Sequence, residues 1–205
     1  MSTPLADGEL AALLRRAIVD EDREAFDRLF DSQAGRLEVL LQSRLPRAAR
    51  GRIDVEDVLQ ETYTRAYRRF RRIPDVTPEI FRRWIVHIAL RELKRVYETH
   101  LGTIRRSADR ERRVESHSRF AARSDGTPSH LAGRRESVAI LVEVLEDMPA
   151  DYREVILLRD FEGFTTEMIA ARMNRSVTAL DVLYHRALLG LSDRLQVRGL
   201  SASRY

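Results

Sequence analysis

Residues 147–195 carry the strongest constraint on the fold, because apolar residues there recur at helical spacing in three runs separated by two sharp breaks. After Pro149, a residue suited to a first helical turn, Tyr152, Val155, Ile156 and Leu158 fall on one helical face. The run Phe161-Glu162-Gly163-Phe164 interrupts that face, and Gly163 fits a left-handed helix cap. Thr165 can cap a short second helix with Glu167 in its first turn, and Met168, Ile169, Ala170 and Met173 mark its expected buried side. Asn174-Arg175-Ser176 then predicts a tight turn, since Asn tolerates positive φ and Ser is a strong N-cap. In a third helix Leu180, Tyr184, Ala187, Leu188, Leu191 and Leu195 share a face. A short helix, a three-residue turn and a longer helix with a polar leading face spell a helix-turn-helix.

A plain helical hairpin in an all-α core would show the same spacing. What favours nucleic acid is the charge around the turn: Arg172, Arg175 and Arg186 can reach phosphates. Thr178, Asp181, Val182 and His185 lie opposite the leucine face, where a base-reading surface would sit. Asp181 is the unusual member, able to accept from a cytosine amino group but repelled by phosphate.

The remaining chain shares the basic bias. At 205 residues it can hold one large or two small domains. The net charge is +4, and of 36 cationic residues only Lys94 is a lysine. Arginine suits bidentate phosphate binding, although a bias toward arginine codons would account for the excess equally. Cysteine is absent, which excludes disulfides, thiolate metal sites and a cysteine nucleophile. No apolar stretch approaches the roughly 20 residues needed to span a bilayer. The start, MSTPLADGEL, is polar and acidic where a signal peptide would be basic and then apolar, so the expected location is the cytoplasm.

Residues 5–45 read as helices, with stripes at Leu10, Leu13, Leu14, Ala17 and Ile18, then Phe26, Leu29 and Phe30, then Leu37, Leu40, Leu41 and Leu45. These are core positions. Residues 47–52 form a basic turn, after which Asp54 can cap a long helix that changes character midway. Its start is acidic (Asp54, Glu56, Asp57, Glu61) and its end basic (Arg65, Arg68, Arg69, Arg71, Arg72), with Tyr63, Tyr67 and Phe70 interleaved. Caps and solvated faces explain either half alone. Together they suggest two partners on one helix: a basic protein surface for the acids, and a nucleic acid with stackable bases for the arginines and aromatics.

Thr77 and Pro78 open the next helix, expected to reach about residue 100. Its apolar face holds Phe81, Trp84, Ile85, Ile88, Ala89 and Leu93, and its basic face Arg82, Arg83, Arg91, Lys94 and Arg95. Periodicity then disappears over 104–135, an arginine-rich stretch with the breaker run Ser124–Ser129, and this reads as a flexible linker. A helix from Glu136 to Asp147 opens the second domain. The five histidines (87, 100, 117, 130 and 185) fit no metal-ligand spacing, and neither a phosphate-cradling glycine loop nor a nucleophile elbow is present. No enzyme, cofactor or metal is expected.

At this point the motifs converge. DVEDVLQETYTRAYRRF (Asp54–Phe70), FRRWIVHIALRELKR (Phe81–Arg95) and the helix-turn-helix that follows Met148 resemble, in this order, the conserved parts of bacterial sigma factors of the extracytoplasmic-function (ECF) class of the sigma-70 family. The resemblance covers roughly residues 8–100 and 136–196. It implies that Asp54, Asp57, Gln60 and Glu61 face the coiled coil of the polymerase β′ clamp. Tyr67, Arg68, Arg69 and Arg72, with Arg82, Arg83, Trp84 and Arg91 of the next helix and the Ile73–Thr77 loop, would face the melting −10 element. Arg172, Arg175, Ser176, Thr178, Asp181, Val182, His185 and Arg186 would face the −35 element. This chain departs from the family pattern at Arg91 and Arg95, where Asn and Asp are frequent, and at Asp181 and Leu183, where basic residues are usual.

The resulting expectation is an all-α chain of two small helical domains. They are a sigma region 2-like bundle over 1–103 and a region 4-like helix-turn-helix over 136–198, joined by the 104–135 linker and followed by a 199–205 tail. The implied function is transcription initiation without catalysis, and the implied partners are core RNA polymerase (β′ clamp and β flap), promoter DNA and an anti-sigma factor. Two alternatives stay open: a stand-alone helix-turn-helix regulator, and a helical adaptor that does not bind DNA.

Overall fold

A computed structural model describes residues 7–70, 72, 73, 76–107 and 128–199, with the backbone alone for 101–107 and 128–134. Every regular element among them is helical. Helix α1 spans Asp7–Val19, α2 Arg23–Arg44, α3 Val55–Phe70 and α4 Pro78–Ser107, with one 3₁₀ turn at Arg47–Ala49. The second half holds α5 (Pro128–Glu146), α6 (Ala150–Ile156), a π-helical turn (Leu157–Phe161), α7 (Thr166–Arg172) and α8 (Val177–Val197). None of the helices described is long and apolar enough to cross a membrane.

Local sequence sets the helix starts. Asp22 accepts from the Ala25 amide at 3.1 Å, and the Asp54 carboxylate accepts from the Glu56 amide at 2.8 Å. Thr77 plays the same part for Ile80, directly before Pro78 at the first position of α4. Two expected ends differ. Helix α4 continues to Ser107, and α5 begins at Pro128, so both run into the stretch read as linker. Its middle, 108–127, lies outside the described residues, as does the 200–205 tail.

Helices α1 to α4 pack as a bundle around α2, which touches α1, α3 and α4. Phe26 of α2 sits against Tyr63, Tyr67 and Phe70 of α3 at centroid distances of 5.5, 5.2 and 5.0 Å. Phe70 in turn meets Phe81 and Trp84 of α4 at 5.9 and 6.2 Å. Such aromatic pairs contribute about 0.5–1.5 kcal/mol each beyond the area they bury. In the second half α8 packs against α5, α6 and α7, and Leu180, Ala187 and Leu195 are fully buried. The expected helix-turn-helix is present: Thr165 and Ser176 cap α7 and α8, Gly163 has φ +72° and Asn174 φ +53°. Two details differ from the sequence reading. Pro149 is the N-cap of α6 and not a first-turn residue. Met168 is 45% exposed, because Ile169 and Ala170 alone fill the buried side of so short a helix.

The two halves are in contact. Helix α2 also touches α5 and the π turn, so it is shared between them. Arg44 reaches Glu154 and Glu162, both at 2.5 Å, with only 7% of the Glu162 side chain exposed. Arg36 donates to the Asp160 carbonyl, and Glu146 takes both Arg47, at 2.9 Å, and Arg50. Burial works against the Arg44 charge, but the two carboxylates outweigh it and raise its pKa. Replacing Arg44 by Ala strands a nearly buried Glu162. We expect Arg44→Ala to cost about 1–3 kcal/mol, read as a lower urea midpoint. Adding Glu162→Gln should recover part of the loss, since no orphaned charge remains. An unchanged midpoint in the single variant would contradict this role for Arg44.

Candidate nucleic-acid and polymerase interfaces

The acidic and basic ends of α3 are both on the surface. Asp54 and Asp57 are exposed, while Gln60 and Glu61 are half-buried. Although exposed, Asp57 loses some hydration against the helix and stands near Asp54 and Glu56, so burial first and the like charges next raise its carboxyl pKa. Glu61 is held by Arg65 at 2.9 Å and approached by Arg95 at 4.0 Å. Glu56 pairs with Arg135 of α5 at 2.7 Å. Arg95, the departure from the family pattern on α4, also binds the buried Glu92 at 2.9 Å, and so lies over acids of its own chain.

Arg68 and Arg69 are exposed at the end of α3, and Arg72 is exposed just beyond. Tyr67 is half-buried, parallel to Tyr63 at 6.2 Å, with the Arg23 guanidinium 5.5 Å from its ring centroid. Tyr63 donates to Asp27 at 2.5 Å, and burial first and this carboxylate next push its pKa up to about 12. On α4, Arg83 and Arg91 are exposed, Arg82 pairs with Asp7 at 2.5 Å, and Trp84 is half-buried beside Phe70 and Phe81. Within the loop between α3 and α4, positions 74 and 75 lie outside the described residues. The helix-turn-helix approaches this basic face: a Cβ on Gly163 would lie 3.1 Å from Cγ of Arg83.

On the helix-turn-helix, Thr178, Val182, His185 and Arg186 of α8 are exposed, as is Arg172 of α7, whose guanidinium lies 5.7 Å from the Phe164 centroid. Ser176 spends its hydroxyl on the Ala179 amide at 3.2 Å, so its part is to start α8. Arg175 is held by Asp151 at 2.5 Å. Asp181 is half-buried and paired, its Oδ1 lying 3.5 Å from Nη1 of Arg159.

That partner was not legible in the sequence. Residues 157–160 read as the tail of an ordinary helix that breaks at Phe161, but the wider π turn over Leu157–Phe161 sets two consecutive residues, Arg159 and Asp160, against α8. The Arg159 guanidinium stacks over Tyr184, 4.1 Å from its centroid, and the Tyr184 hydroxyl donates to Asp160 at 2.7 Å. The one available signal was four consecutive apolar residues, Val155 to Leu158, all buried, more than a single helical stripe supplies. Among the described residues no group of three or more His, Asp or Glu is placed to hold a metal ion.

The arrangement defines an all-α protein with a helix-turn-helix in its second half and an acidic-to-basic helix in its first. Residues 139–191 match the family described as Sigma-70, region 4. The ECF RNA polymerase sigma factor SigD of Mycobacterium tuberculosis is 36% identical over 76 residues, 37% of this chain and 36% of that protein. The chain thus aligns with only about a third of that relative. The ECF RNA polymerase sigma-E factor of Escherichia coli is 27% identical over 199 residues, 96% of this chain and 97% of that protein. The solved CnrH, in complex with the cytosolic domain of CnrY, aligns over 92% of this chain and 98% of its own at 22% identity and a TM-score of 0.44. Residues 139–191 are thus similar to sigma-70 region 4, and nearly the whole length of the chain is similar to ECF sigma factors.

Asp160 offers a test of the network behind α8. Burial raises its carboxyl pKa, and the Tyr184 hydroxyl, Arg159 and Arg36 offset this only in part. A carboxyl with a folded pKa above its unfolded value favours the fold when protonated. Its contribution is lost as pH rises through the unfolded value, about 3.9, toward the raised folded one. Asn keeps an acceptor for Tyr184 and does not titrate. Thermal unfolding from about pH 4 to 7 should show the parent losing stability relative to Asp160→Asn as pH increases. A flat or opposite difference would contradict the raised pKa.

Proposed function

We propose that this protein is a transcription initiation factor that binds core RNA polymerase and directs it to promoters. The carrying observation is that, in a chain similar to this family, α3 presents exposed acids at one end and exposed arginines at the other. The acids, Asp54 and Asp57 with Gln60 and Glu61, suit a basic docking surface on the polymerase clamp. Arg68, Arg69 and Arg72, with Arg83, Arg91 and the half-buried Tyr67 and Trp84, suit the −10 element as it melts. There phosphate neutralisation and stacking offset the few kcal/mol lost in unstacking a base. Helix α8 would enter the major groove at −35, with Arg172 and Arg186 reaching phosphates.

In this reading the protein acts in the cytoplasm, performs no catalysis and orients the enzyme that does. The β flap of the polymerase and an anti-sigma factor are further expected partners. The domain limits, 1–103 and 136–198, are proposed on the same grounds.

The acidic surface is tested by Asp57→Lys, which leaves every ion pair named above intact, and by the double variant with Glu61→Lys. Both should retain helical circular dichroism, and the single variant should weaken core polymerase binding about tenfold or more. Burial first and the like charges of Asp54 and Glu56 next raise the Asp57 pKa, and a bound cation favours its ionised form, so affinity should also rise with pH through the carboxylate range. Unchanged affinity in both variants would remove this face from the interface.

A further inference from the structure

An aspartate on a DNA-reading helix faces a polyanion, and in isolation it opposes binding. Asp181 stands in the stripe Thr178, Asp181, Val182 and His185, whose other members are exposed. It differs from them in having a cation of its own. Arg159 lies 3.5 Å from its Oδ1 and sits over the ring of Tyr184, which is itself tied to Asp160 at 2.7 Å. The Arg159 side chain is 35% exposed and that of Asp181 50%, so the pair sits at the edge of the surface with the carboxylate outermost. Among the described residues no hydrogen bond reaches Oδ2 of Asp181.

We propose that Arg159 is a positioning residue for base reading by Asp181, and that the base read is a cytosine on the major-groove side of the duplex. This rests on the proposed function only in requiring that α8 meets DNA. Two effects act together. The guanidinium offsets the carboxylate's repulsion from the phosphates at a distance well inside the roughly 8–10 Å screening length. It also occupies one oxygen and leaves the other as an acceptor. A carboxylate has no donor, so of the major-groove edges it complements an exposed amino group, and cytosine N4 presents one with no competing acceptor on the same base. The stacking on Tyr184 fixes the cation without a direct phosphate contact, so compensation does not depend on DNA being present.

The experiment is selection from a randomised duplex library, performed with the full chain bound to core polymerase and with the chain alone. Four proteins are compared: the parent, Asp181→Asn, Arg159→Met and Arg159→Lys. Met keeps the packing over Tyr184 and removes the charge. The parent should prefer cytosine at one position, and Asp181→Asn should move that preference toward adenine, which Asn complements with two hydrogen bonds. Arg159→Met should reduce the cytosine preference about tenfold, within the range of one base contact, with an unchanged salt slope, and Arg159→Lys should retain most of it. A preference that ignores Asp181 overturns the proposal. So does an Arg159→Met protein that keeps its base preference while its salt slope becomes shallower by about 0.9, the mark of a simple phosphate contact. Cytosine preference by a chain that fails to bind core polymerase would support the Arg159 role while overturning the initiation-factor reading.

Discussion

Burial of α2 along more than one face is the constraint on which the rest of the structure depends. Phe26, Leu29, Phe30, Leu37, Val39, Leu40 and Leu41 are all buried, more of the helix circumference than a single apolar stripe covers. A surface helix needs only one such stripe. The surplus is used by α5 and the π turn, which lie against α2 beside the bundle formed with α1, α3 and α4. Charged residues finish the seam: Arg36 and Arg44 cross it to Asp160, Glu154 and Glu162. Two carboxylates let the Arg44 charge lie between two packed layers, and a backbone carbonyl receives Arg36, where an unpaired arginine would be expelled to water.

The same seam reaches toward the proposed DNA surfaces. Arg36 binds the carbonyl of Asp160, whose carboxylate receives Tyr184, and Tyr184 carries the arginine that pairs with Asp181. The orientation of α8 against the π turn is thus tied to α2 by hydrogen bonds as well as by apolar packing. Gly163, in the left-handed region, lets the chain turn into α7 close to Arg83 of α4. A side chain there would meet both an unfavourable φ and the arginine stem.

Much of this was legible in the sequence because it rests on short-range rules. The breaks at Gly163 and Asn174, the caps at Thr165 and Ser176, and the stripes of α1, α2 and α4 follow from residues within one or two turns of each other. The split charge of α3 was equally plain. Contacts made at a distance were not legible. Nothing near Arg44 in sequence announces Glu154 or Glu162, more than a hundred residues later. The reading of Asp181 as an isolated anomaly failed to see Arg159 for a related reason: a π turn shifts the angular position of every residue after it, so a regular helical projection aims that arginine elsewhere. Met168 shows the smaller limit, since a seven-residue helix has room for fewer buried positions than its apolar residues suggest.

We propose that this chain selects promoters for RNA polymerase, and multi-round run-off transcription tests this most directly. Core enzyme and a fragmented genomic library from the same source are combined with and without the purified chain. The account predicts new transcripts that start at discrete sites only when both proteins are present, with two recurring sequence elements upstream of each start. Transcript patterns identical with and without the chain, while the chain alone retains particular DNA fragments, would contradict it and identify a regulator that works without joining the polymerase.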